Sequence, residues 1–168
     1  MKQIILLLFF VSGFLGKSYA VSFPERCEGK WQGMMHIWSK GVLRDSVGII
    51  FTVQPIANEV RSWTWTTEYI SEKMPLTKNY KLIHKNELSN EFIMDEGDGV
   101  VLTNYVFENK MYSLFKVGKI WLTSSYEFAG DCLIFEVTSG IKSNEKSKGV
   151  ENYTFDFLQR VTLKKVAK

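Results

Sequence analysis

Histidine and cysteine are the scarcest chemistry-bearing residues in this chain, two of each in 168. His36 and His84 have no metal-ligand spacing between them, and neither Cys27 nor Cys132 stands in a motif with a histidine. A histidine-based metal centre and a thiol nucleophile with its base therefore lack their parts. There is no Gly-x-Ser-x-Gly elbow for a serine hydrolase. Gly16-Lys17-Ser18 echoes a phosphate loop but falls in an N-terminal segment that reads as a targeting signal. No basic stripe is present beyond Lys164, Lys165 and Lys168, so the charge pattern that neutralises phosphates is missing and nucleic acid is not an expected partner. No apolar run after the first twenty residues is long enough to cross a bilayer as a helix, and no membrane insertion is expected. Internal repeats, low-complexity runs and linkers are also lacking.

What is there begins with that N-terminal segment. Lys2 supplies a positive start, Ile4 to Leu15 is apolar or small but too short for a membrane span, and Ser18-Tyr19-Ala20 offers small residues at the cleavage positions. The pattern predicts an export signal, residues 1–20, cut after Ala20, and a secreted or periplasmic protein of one domain over residues 21–168. Glu25 and Arg26 precede Cys27, which excludes the small-residue context of a lipid-anchored cysteine. Removing the segment takes away Lys2 and Lys17 and no acidic residue, so the formal net charge of +3 falls by two. In an oxidising compartment Cys27 and Cys132 have two readings. One is a disulfide closing a loop of roughly 100 residues, a contribution of ~4 kcal/mol in the chain-entropy model. The other is a pair of separate buried thiols.

From residue 30 onward apolar and polar residues alternate with period two, the mark of half-buried strands. Residues 30–38 place Trp31, Gly33, Met35 and Ile37 on one face. Further strands are predicted over 46–53, 60–69, 80–85, 91–94, 100–107, 111–117, 120–128, 132–138 and 153–163. Gln54-Pro55-Ile56-Ala57-Asn58 and Glu108-Asn109-Lys110 punctuate them as turns. Consecutive antiparallel neighbours would close into an all-β, up-and-down barrel of about ten strands. Short connections would gather at one end, and longer ones, 39–45, 71–79, 95–99 and 140–152, at the other, as around a mouth.

Gly29-x-Trp31 at the head of the first strand and Arg160 in the last resemble the signature of the calycin barrels: lipocalins, fatty-acid-binding proteins and nitrobindin-like heme barrels. That resemblance implies Trp31 at the barrel floor with the Arg160 guanidinium packed across its indole. The layout departs from lipocalins, which carry a long helix before the last strand, and from fatty-acid-binding proteins, which carry two helices after the first. It is similar to the nitrobindin-like and lipocalin-like barrels, and Pro75 to Tyr80 and Asp131 to Val137 resemble stretches of uncharacterised secreted bacterial lipocalin-like proteins.

A barrel of ten strands is too wide for side chains to fill completely, so an apolar interior cavity is expected. Its predicted lining is Met35 with the aromatic faces of three strands: Trp63, Trp65 and Tyr69; Tyr105 and Phe107; Tyr153, Phe155 and Phe157. Thr154, Asp156, Arg160 and Thr162 form the opposite, outward face of the last strand. Heme, suggested by the relatives, is not expected, because His36 falls on the outward face and His84, the one candidate to face in, lies far from the late position of the nitrobindin-like ligand. Asp95-Glu96-Gly97-Asp98-Gly99 lacks the ligand spacing of an EF-hand and reads as a solvated turn, so no metal or cofactor is expected. Asn152-Tyr153-Thr154 is a formal glycosylation sequon. The reading that follows is an exported barrel binding a small apolar or amphipathic ligand. An interaction or inhibitor module using the long loops on a protein partner is the alternative. A third reading is an enzyme working through the scattered carboxylates Glu68, Glu127 and Glu136 converging inside the barrel.

Overall fold

A computed structural model of the chain describes residues 21–86, 88–145 and 148–167. The export segment 1–20 therefore lies outside the described residues. A five-residue helix, α1 (Phe23–Cys27), comes first. Proline at its start suits a position where the N–H needs no helical partner, and the Glu25 carboxylate accepts the Ser22 backbone N–H at 2.6 Å. Ten strands follow: β1 (Gly29–Ser39), β2 (Val42–Pro55), β3 (Ser62–Ile70), β4 (Leu76–His84), β5 (Glu91–Gly97), β6 (Val100–Phe107), β7 (Lys110–Val117), β8 (Ile120–Ala129), β9 (Cys132–Ile141) and β10 (Phe157–Lys165).

Each strand pairs antiparallel with the next and β1 pairs with β10, which closes the barrel. The connections after β1, β3, β5, β7 and β9 lie at one end, the mouth. Loop length does not separate the ends as the alternation suggests: β4 begins at Leu76, so 71–75 is shorter than 56–61 and 85–90 at the floor, and only the connection after β9 is long. The connection after β1 is also shorter than expected, because β2 begins at Val42 and leaves only Lys40 and Gly41 between strands. Before β10, residues 152–156 run along the end of β9, with the Thr154 N–H bonded to the Ile141 carbonyl at 2.8 Å and the Asp156 N–H to the Ser139 carbonyl at 2.9 Å.

The seam between β1 and β10 closes over a glycine. A Cβ on Gly33 would fall 2.4 Å from the Thr162 carbonyl oxygen, so any side chain there would push the two strands apart. Below it Trp31, 3% exposed, plugs the floor: its indole N–H donates to the Cys27 carbonyl at 2.7 Å, and its ring meets Phe128 edge-on at 6.1 Å. Phe128 in turn packs on Phe23 of α1 at 5.3 Å, so the helix acts as a lid on the closed end.

The cation over Trp31 is not Arg160. Trp31 pairs in register with Lys165, whose Nζ stands 5.1 Å from the indole, while Arg160 lies opposite His36 and Glu136. Val161 and Leu163 take the inward positions of β10, which turns Arg160 out to an ion pair with Glu136 at 3.6 Å. A second cation–π contact, Arg26 over Phe128 at 4.0 Å, ties α1 to the floor.

Replacing Trp31 by Ala is expected to destabilise the barrel by ~3–5 kcal/mol in chemical denaturation, because a buried indole and the hydrogen bond that anchors α1 go together. Replacing Arg160 by Ala should change stability by less than about 1 kcal/mol, the scale of an exposed ion pair. Equal losses in the two variants would contradict this account of the floor.

Candidate functional site

The barrel is filled along its lower half only. Phe51, Trp65, Tyr126 and Phe135 cross the interior as one aromatic cluster, with ring centroids 5.0 Å apart for Phe51 and Trp65, 5.1 Å for Trp65 and Tyr126, and 4.4 Å for the stacked Tyr126 and Phe135. Met35, Leu82, Met111, Leu133 and Leu163 are fully buried among them and below. Above the cluster lies a cavity of about 260 Å³, open toward the mouth.

Its wall mixes apolar and polar groups. Met94, Leu102, Phe115, Leu122, Phe135 and Val137 supply the apolar surface; Thr67, Asn104, Ser124 and Gln159 supply neutral hydrogen-bonding groups. Three tyrosines, Tyr69, Tyr80 and Tyr126, complete it. Burial raises the pKa of all three, and the Glu96 charge and its hydrogen bond raise Tyr80 further. The phenols therefore stay protonated as donors at neutral pH. Lys78 and Glu96 are the charged side chains among the described residues lining the cavity. Glu96 stands near the Tyr80 hydroxyl, whose pKa its charge helps to raise. The Lys78 ammonium stands 5.9 Å from the Tyr69 ring and 5.8 Å from the Tyr80 ring and forms no ion pair among the described residues.

Of the nine residues that the sequence nominates for the lining, Tyr69 reaches the cavity. Met35, Trp63 and Trp65 point inward as expected but belong to the packed half. Trp63 donates to Glu28 Oε1 at 3.0 Å, beside α1, while the Trp65 indole N–H is fully buried with no hydrogen-bond partner. Tyr105 and Phe107 face outward, 47% and 63% exposed, because Leu102, Asn104 and Val106 take the inward positions of β6. Tyr153 and Phe155 precede β10 rather than belonging to it, and both lie exposed at the mouth, Tyr153 edge-on to Trp121 at 5.8 Å. Phe157 opens β10 at the rim and is half-exposed.

Other expectations change as well. Glu68, Glu127 and Glu136 do not converge inside: they alternate with inward residues, and Glu127 pairs with Lys110 at 3.0 Å on the outer wall. The acid that does reach the interior is Glu96, which continues the inward series of Phe92 and Met94 beyond the point where the sequence reads as a turn. His36 is exposed and bonded to Ser46 Oγ at 2.8 Å. His84 stacks on Phe92 at 4.5 Å and bonds the Ser89 carbonyl at 2.7 Å, so neither histidine lines the cavity. Cys27 and Cys132 are free thiols rather than a disulfide. Leu133 and Phe135 face in, which places Cys132 on the outer face of the wall whose floor buries Cys27. Burial pushes the Cys27 thiol well above its ordinary pKa.

No protein-family model matches the chain, and no curated protein matches it by sequence. Solved structures share its fold. An S-type phycobiliprotein lyase, CPES, from Guillardia theta superposes with a TM-score of 0.59 at 13% identity, over 87% of this chain and 91% of that one. A protein of unknown function of the DUF3598 family from Nostoc punctiforme gives 0.56 at 10% identity, over 84% of this chain and 48% of that one. Rv2717c from M. tuberculosis gives 0.54 at 12% identity, over 84% and 94%. At these identities the likeness establishes a calycin-like barrel and nothing finer.

Thiol titration checks the wall and the floor together. In the native protein the half-buried Cys132 should react and Cys27 should not; after unfolding without reductant both should react. A chain with no titratable thiol when unfolded would show that the cysteines pair after all.

Proposed function

We propose that this protein binds a small amphipathic anion, its apolar body in the upper half of the barrel and its head group at Lys78. The observation that carries this reading is the division of the interior: the aromatic cluster stops at Tyr126 and Phe135, and the space above combines apolar side chains with an ammonium that has no carboxylate partner among the described residues. Glu96 lies beside Tyr80 and forms no ion pair with Lys78 among the described residues, and the neutral phenols of Tyr69 and Tyr126 are in the same wall as donors for an anionic head. A volume of about 260 Å³ lies just below the ~300–1,000 Å³ common for ligand pockets. That suits a medium-length acyl chain or a pair of rings, and it is too small to enclose a porphyrin. A fold shared with a phycobiliprotein lyase agrees with an interior used for small molecules.

Export fits the same reading, in that a carrier barrel would meet its ligand outside the cytoplasm. The mature protein should begin at Val21, which N-terminal sequencing of material from the producing cell would show; an intact Met1 would remove export from the proposal.

Binding is tested by displacement of anilinonaphthalene sulfonate and by the fluorescence of Trp65, whose ring touches the cavity-lining Tyr126 at 5.1 Å. A medium-chain fatty acid should compete, and Lys78→Met should weaken that competition about tenfold, at the lower end of a charge-assisted hydrogen bond of ~1.5–3 kcal/mol since Lys78 is only partly buried. The fatty alcohol of equal length should lose nothing. If acid and alcohol respond alike to Lys78→Met, the anionic head group is wrong; if no amphiphile changes fluorescence or melting temperature, the cavity is not a binding site.

A further inference from the structure

The ten seams of the barrel are unequal, and the weakest one borders the cavity. β6 and β7 each span eight residues, yet they pair only at Tyr105↔Tyr112, Val106↔Met111 and Phe107↔Lys110, all near their shared turn. On the other side of β7 the ladder with β8 runs its whole length, from Lys110↔Glu127 to Val117↔Ile120. The mouthward halves, 100–104 of β6 and 113–117 of β7, therefore lie side by side without a backbone ladder. Continued register would set Thr103 opposite Leu114 and Val101 opposite Lys116.

A side chain bridges the gap where backbone does not. The Ser113 hydroxyl donates across it to the Thr103 carbonyl at 2.8 Å, while the Asn104 amide donates within β6 to the Leu102 carbonyl at 3.1 Å. Both side chains are buried, 4% and 3% exposed, in positions where a barrel wall ordinarily places apolar residues. Such side-chain bonds compete with a ladder rather than adding to it. Leu102 from β6 and Phe115 from β7 line the cavity on either side of the gap, and Val101 and Leu114 expose apolar surface on its outer lip.

We propose that the unladdered seam between β6 and β7 is a lateral gate through which the ligand passes between the cavity and the outside of the barrel. The proposal rests on the cavity reading above. Parting the strands there breaks the Ser113 bond and separates the cavity-lining Leu102 and Phe115 rather than breaking a row of backbone hydrogen bonds. An apolar body could slide through sideways while its head stays near the rim. The gate thus makes exchange faster than passage through the mouth alone, without adding a contact to the bound state.

Tying the strands tests it. In a Cys132→Ser background, Val101→Cys with Lys116→Cys would be bridged by a short bifunctional thiol reagent; Tyr105→Cys with Tyr112→Cys, across the laddered part, is the control. Stopped-flow mixing with anilinonaphthalene sulfonate should show association and dissociation both slowed about tenfold by the first bridge, with Kd within about twofold, and neither rate changed by the second. Ser113→Val should speed both rates. Amide hydrogen exchange of the unmodified protein gives an independent readout, since Thr103 and Leu114 should exchange faster than seam-facing amides of the β7–β8 ladder. Unchanged rates in the Val101–Lys116 bridge, or strong protection of the Thr103 and Leu114 amides, overturn the gate while leaving the cavity intact. Absence of dye binding in the wild type overturns the cavity reading and the gate with it.

Discussion

The structure depends on how far an aromatic cluster can fill a ring of ten strands. Phe51, Trp65, Tyr126 and Phe135 span the interior by edge-on and stacked contacts, and large rings are what such a width requires, since aliphatic side chains would leave voids. Below them the floor is sealed by Trp31, Phe128 and the short helix α1. Above them Tyr69, Tyr80 and Phe115 make no ring contact with one another among the described residues, and the cavity is the consequence. A barrel packed in one half and open in the other gains its stability from the packed end.

The same division appears in the wall. The seam between β1 and β10 is drawn tight by Gly33, because removal of one side chain lets the Thr162 carbonyl approach. Between β6 and β7 the ladder stops after three pairs, at the level where the cavity begins. Strand pairing and interior packing support one another: where residues such as Val106 and Met111 are buried against the core, the backbone bonds are complete, and where Leu102 and Phe115 face the cavity, they are not. Loss of both supports in one place is what makes a local opening inexpensive.

Much of this was legible before any coordinates. Alternation located every strand, although Lys40-Gly41 proved a tighter turn and β10 begins later than 153. Closure between the first and last strands follows from the up-and-down order. The side chains on each face were legible only where one face is plainly polar. On β3 the series Trp63, Trp65, Tyr69 alternates with threonines and Glu68, and its inward direction holds. On β6 both faces are apolar apart from Thr103 and Asn104, and the rings of Tyr105 and Phe107 suggest the wrong one. Period two assigns two faces but not which is inside, so neighbouring strands decide. Glu96 was hidden by the glycines after it, which look like a turn, although counting on from Phe92 and Met94 reaches the interior.

Composition and period thus determined, by themselves, an all-β barrel of about ten strands and its closure, because these follow from local alternation and from the geometry of closing a sheet, whereas the place of Trp31 at the floor was implied by the resemblance of Gly29-x-Trp31 to the calycin signature. Tertiary structure decided the rest. Lys165 rather than Arg160 covers the indole because register, a relation between two distant strands, sets which residue of β10 arrives opposite Trp31. Cys27 and Cys132 stay apart because one turns into the floor and the other out of the wall. The position of the cavity, the place of Lys78 in its wall and the incomplete seam beside it depend on which rings meet across the interior, and no stretch of sequence contains both sides of that contact.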